Sequence, residues 1–195
     1  MRAIEECIVF YQEIGIAVTQ WAQLEMSLFQ FLVMCFPRDQ EQLVYAGFSS
    51  LEGFRAKLNF VSNVLHEKVT KEQHVKDWDA AVGRLSKLST SRNKLAHWRA
   101  LTIAGNPVGR RYCLIPWKQS KAQQHSVNPK GALYVRDINS IRFQFFAANI
   151  ALVNLRCRLM NVKEAAEKHV ETPMSPLTLK QLAASLRQVI EPESK

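Results

Sequence analysis

Residues 75–97 read VKDWDAAVGRLSKLSTSRNKLAH, and their spacing decides the fold. Val75, Trp78, Val82, Leu85 and Leu88 recur at steps of three and four, the period of one buried face of an α-helix. The next inward position, four after Leu88, is Arg92. A guanidinium where the stripe asks for an apolar side chain costs several kcal/mol unless it meets an anion or a wet cleft. Asn93 and His97 follow, four apart and therefore on one helix face, whereas Arg92 and His97 are roughly 140° apart on a regular helix. Bringing that pair together requires a long reach, a loosened helix end or a second subunit.

Upstream, Ile4, Ile8, Tyr11, Ile14, Val18, Trp21, Leu24, Leu28, Leu32 and Cys35 describe a long first helix ended by Pro37, with Gly15 as the place for a bend. After a loop around Gly47, Ser49 and Glu52 form a capping box that opens a second helix with a stripe of Leu51, Phe54, Leu58, Val61 and Leu65. Thr70 with Gln73 opens the third in the same way. Beyond His97 the period shortens. Residues 100–103 and 112–115 read as strands joined by a Gly105-Asn106-Pro107 turn, and residues 133–135 as a third strand before Asp137 caps a fourth helix. That helix carries Ile138, Ile141, Phe145, Ala148, Leu152, Leu155, Leu159 and Val162 and runs nearly to His169.

The fold class is therefore mainly all-α, a four- to five-helix bundle with a small β insert between the third and fourth helices. The bundle spans residues 1–172, with the basic insert at about 99–136. Residues 173–195 form a linker marked by Pro173 and Pro176 and a short helix carrying Leu179, Leu182, Leu186 and Ile190.

The 195-residue chain is 47% hydrophobic and 22% charged, a globular balance with a net charge of +9. The charge is regional. Residues 1–98 hold eleven basic and eleven acidic side chains, and residues 99–195 hold fifteen against six, which is the whole excess. Between Arg99 and Arg142 eight basic residues face a single acid, Asp137. Such a field favours a polyanion, and Arg99, Arg110, Arg111, Lys118 and Lys121 are the candidate RNA contacts. Tyr112, Trp117 and Tyr134 interleave with these charges, and Trp98 adjoins the motif, so each is a candidate stacking platform.

No apolar run is long enough to span a membrane and the N-terminus lacks a signal-peptide layout, so a cytoplasmic protein is expected. Cys7, Cys35, Cys113 and Cys157 are scattered, and four reduced, mostly buried thiols are expected. His66, His74, His125 and His169 show no ligand spacing, and no metal or cofactor site is indicated. Glu25, on the first helix between Trp21 and Leu28, is the candidate partner of Arg92.

Arginine can grip phosphate oxygens with its planar fork, histidine can move a proton near neutral pH, and asparagine can orient either. Arg92-Asn93-x-x-x-His97 at a helix end resembles the R-x4-6-H motif of the HEPN superfamily, in which a polar residue commonly follows the arginine. The segment order over residues 1–168 is similar as well, through Trp21-Ala22-Gln23-Leu24-Glu25 and Phe54-Arg55-Ala56-Lys57-Leu58. The resemblance implies a bundle that dimerises so that two Arg/His pairs meet, and in catalytic members metal-independent RNA cleavage in toxin or antiviral settings. It further implies an antitoxin or nucleotidyltransferase-type partner. Arg92 would hold the scissile phosphate, His97 would act as general acid or base, and Asn93 would orient them. The β insert after His97 departs from members that pass directly into the next helix. Two other readings stay open: a HEPN-like module that only binds or dimerises, and a basic nucleic-acid-binding protein that does no chemistry.

Overall fold

A computed structural model describes residues 2–69, 71–103, 111–117 and 129–160. The Thr70 cap, the Gly105-Asn106-Pro107 turn, Arg110, Lys118, Lys121 and everything from Asn161 onward, including the linker and terminal helix, lie outside the described residues. Five α-helices and a three-stranded antiparallel sheet are present among them: α1 (Arg2–Val33), α2 (Glu41–Ser49), α3 (Phe54–Lys68), α4 (Glu72–His97), β1 (Arg99–Thr102), β2 (Tyr112–Ile115), β3 (Leu133–Tyr134) and α5 (Val135–Leu159). The mainly helical fold with a small β insert is what the periodicity predicts, although α2 moves the insert to between the fourth and fifth helices.

α1 packs most extensively against α5, and α4 closes on both. Trp21 lies between Phe54 and Phe145, with ring centroids at 4.5 and 5.0 Å, and Phe31 meets Trp78 at 5.1 Å. Two polar contacts fix this packing: Trp78 Nε1 donates to Ser62 Oγ at 3.1 Å, and Ser27 Oγ to Asn149 Oδ1 at 2.6 Å. Each satisfies a group that would otherwise be shielded and unpaired.

The stripe of α1 differs from expectation in its first half. Ile4, Ile8, Tyr11 and Val18 are exposed, whereas Phe10, Ala17, Trp21, Leu24, Leu28 and Phe31 are buried. Steps of three and four taken from Ile4 slide across the helix, because the core face starts at Phe10 and lies roughly 120° away. α1 therefore carries two apolar faces, and only one is buried among the described residues.

Helix ends also depart from the motifs. Ser49 is the last residue of α2, and Val44 and Phe48 of that helix are buried where a loop is expected. Gly53, at φ 77°, supplies the left-handed turn that starts α3. α4 follows Lys71, which makes no side-chain cap. Asp137 acts from the first turn of α5 rather than before it, accepting the Tyr134 N–H at 2.9 Å.

The sheet has two differently used faces. Tyr112 and Leu114 pack on the bundle, and Cys113 and Ile115 form a small second core with Ile103. Of the four free thiols only Cys113 is fully buried; Cys7 and Cys35 are half-buried and Cys157 is exposed, beside the groove between α4 and α5. Among the described residues no helix is long and apolar enough to cross a membrane.

Candidate functional site

α4 stays α-helical through His97, and the Trp98 N–H still donates to Lys94 O at 3.0 Å. The helix end therefore does not loosen to swing His97 towards Arg92. Leu95 is buried, Arg92 is half-buried, and Asn93 and His97 are exposed on the neighbouring face. Arg92 Nη1 points to Asn93 Oδ1 at 3.4 Å, a long contact that carries the guanidinium towards the His97 side. No hydrogen bond joins Arg92 to His97 among the described residues.

Arg92 opens onto a cleft of about 160 Å³ between three helices. Val18, Ala22 and Glu25 of α1 form one wall, Leu95 and Ala96 of α4 the other, and the touching rings of Trp21 and Phe145 close it beneath. The expected pairing of Glu25 with Arg92 is not made, although both line this cleft. Glu25 Oε1 accepts the Trp21 Nε1 proton at 2.8 Å, and Lys57 Nζ stands 3.4 Å from Oε2. Among the described residues no carboxylate lies within 4.0 Å of the Arg92 guanidinium. Lys57 is a partner that the motifs did not reveal, and its signal was its place on the α3 stripe, three after Phe54 and four before Val61.

The basic segment resolves into separate roles. Arg111 Nε is 3.7 Å from Glu6 Oε2, and Arg142 Nε is 3.2 Å from Glu13 Oε2, so both are held by carboxylates of α1. Arg99 has no such partner among the described residues, and its shielded Nε donates to nothing. Its guanidinium lies 6.0 Å from the ring of Trp117, which is 73% exposed. Lys94 covers Trp98 similarly at 5.4 Å. Tyr112 is occupied by packing, with its ring 5.9 Å from Phe10 and its hydroxyl donating to Ala3 O at 3.2 Å. His66, to which the sequence assigns no role, meets Asp79 at 2.9 Å and ties α3 to α4. No group of three His, Cys, Asp or Glu side chains gathers among the described residues.

Compared with protein-family models, with curated proteins and with solved structures, the chain matches none of them.

Proposed function

We propose that this chain is an endoribonuclease of the HEPN type that cuts RNA without a metal ion. The observation that carries the reading is Arg92, a half-buried guanidinium at an apolar stripe position, with no carboxylate partner among the described residues and with Asn93 and His97 exposed beside it. A cation held in this way has no anion among the described residues, and a phosphodiester supplies one.

In the proposed reaction Arg92 holds the non-bridging oxygens and stabilises the charge that builds on phosphorus. A histidine takes the proton of the ribose 2′-hydroxyl as that oxygen attacks, and a protonated histidine gives one to the departing 5′-oxygen. The bond from phosphorus to the 5′-oxygen breaks, leaving a 2′,3′-cyclic phosphate and a 5′-hydroxyl. One chain offers a single His97, so the two proton transfers fit a homodimer that faces two motifs together. The apolar face of α1 left exposed among the described residues supports that assembly, since it runs from Ile4 to Val18 and Val18 is itself a wall of the Arg92 cleft.

The test is cleavage of single-stranded RNA in EDTA by purified protein. Arg92→Ala and His97→Ala should each slow it by about 100-fold or more. Equal rates in the wild type and both variants would sink the assignment. A second reading, RNA binding without chemistry, is favoured by Arg99 and exposed Trp117, a cation and a ring to which a single strand can bind. Salt-sensitive binding that falls in Trp117→Ala, with no cleavage, would select it.

A further inference from the structure

The cleft beside Arg92 is larger and less polar than a phosphate needs. Its walls are the side chains of Val18, Ala22 and Ala96 over the aromatic pair Trp21 and Phe145, and only Arg92 and Glu25 bring charge. A flat, weakly polar ring suits that lining. Size narrows the choice. A closed cavity of about 150 Å³ accepts one benzene-sized ring, and this open cleft of about 160 Å³ matches a six-membered ring, whereas a fused purine would stand partly outside it.

The two charges then discriminate between pyrimidines. A carboxylate only accepts hydrogen bonds and a guanidinium only donates them. Glu25 takes one proton from Trp21 and has Lys57 at a long 3.4 Å, which leaves lone pairs for another donor. Cytosine presents an exocyclic amine on one side of its pairing edge and a carbonyl oxygen on the other, which suits a carboxylate and a guanidinium held by facing helices. Uracil carries a second carbonyl where the amine would be, and turns an acceptor towards Glu25.

We propose that this cleft is a binding pocket for a cytosine base, with the amine donating to Glu25 and the carbonyl oxygen accepting from Arg92. The 3′-phosphate of the same nucleotide lies towards Asn93, where Arg92 Nη1 already reaches. The place of the pocket in catalysis rests on the ribonuclease reading, but occupancy by the base does not.

The test titrates the four ribonucleoside 3′-monophosphates into the full-length protein by calorimetry, and separately maps cut positions in an RNA containing all four bases. Cytidine 3′-monophosphate should bind about tenfold more tightly than the uridine, adenosine or guanosine compounds. Ala22→Trp, at an exposed position of α1, should fill the cleft and abolish that binding while leaving the circular dichroism spectrum unchanged. Glu25→Gln should remove the preference for cytidine over uridine, because an amide can donate to the uracil carbonyl. Equal affinity for all four nucleotides, no binding at millimolar concentration, or binding that survives Ala22→Trp overturns the pocket. Cutting without base preference overturns its part in cleavage and leaves the ribonuclease reading intact. Selective cytidine binding without any cleavage supports the pocket and overturns the ribonuclease.

Discussion

Lys57 Nζ stands 3.4 Å from Glu25 Oε2, and this contact between α3 and α1 takes the carboxylate nearest in sequence logic to Arg92 away from it. Stability and activity should therefore separate at this cleft. Lys57→Ala should cost about 0.5–1 kcal/mol, and Glu25→Ala about 1–3 kcal/mol because the Trp21 indole N–H is then stranded. Arg92→Leu should raise stability by up to about 1 kcal/mol, since it completes the apolar stripe, and under the proposed ribonuclease function it should abolish RNA cleavage. Urea midpoints beside cleavage rates check these opposite signs.

Trp78 is the largest fully buried side chain, and its indole donates to Ser62. Trp78→Ala should cost about 3–5 kcal/mol. Ser62→Ala removes only the acceptor and should cost about 1–3 kcal/mol. A melting curve for Ser62→Ala that matches the wild type would mean that water replaces the hydroxyl.

Burial pushes the Cys113 thiol from 9.0 up to about 11. The folded state therefore keeps its proton to higher pH than the unfolded state does, so this contribution is intact below pH 9 and is lost as pH rises towards 11. The loss amounts to at most about 3 kcal/mol. Urea unfolding at pH 8 and at pH 10.5 should show a smaller fall in Cys113→Ala than in the wild type. At pH 8, exposed Cys157 should alkylate well before Cys113.

Two glycines should respond with opposite signs. Gly83 lies inside α4 with nothing within 4 Å of an added Cβ, so Gly83→Ala should stabilise by about 0.5–1 kcal/mol. Gly53→Ala forces a side chain into φ 77° and should destabilise by about 1–2 kcal/mol. Thermal unfolding of the two variants reads both signs directly.

Much of this arrangement was legible in the chain, for identifiable reasons. α4 and α5 carry stripes that hold their phase from end to end, and the change of period after His97 marks the sheet to within a residue. The first half of α1 is not legible because two apolar faces on one helix satisfy the same three-and-four spacing, and periodicity does not say which face is buried. The Ser49–Glu52 box misled because Ser49 closes one helix instead of opening the next; Gly53 does that by conformation, without a side-chain bond. The motif at Arg92 was visible as a charge interrupting a stripe. That no carboxylate among the described residues meets it was not, because the choice between Lys57 and Arg92 for Glu25 is made between helices distant in sequence.

Only Trp98 separates the end of α4 at His97 from the start of β1 at Arg99. With so short a joint, the strand acts as a rigid handle on the helix end. One residue inserted there would shift the phase of the strand against the helix and turn Arg99 to the opposite side of the sheet, while leaving His97 where it is. An insertion within β2 would carry the same penalty, because Cys113 and Leu114 would exchange the two cores they fill. The joint at Trp98 thus locks the spacing between the motif and its first arginine.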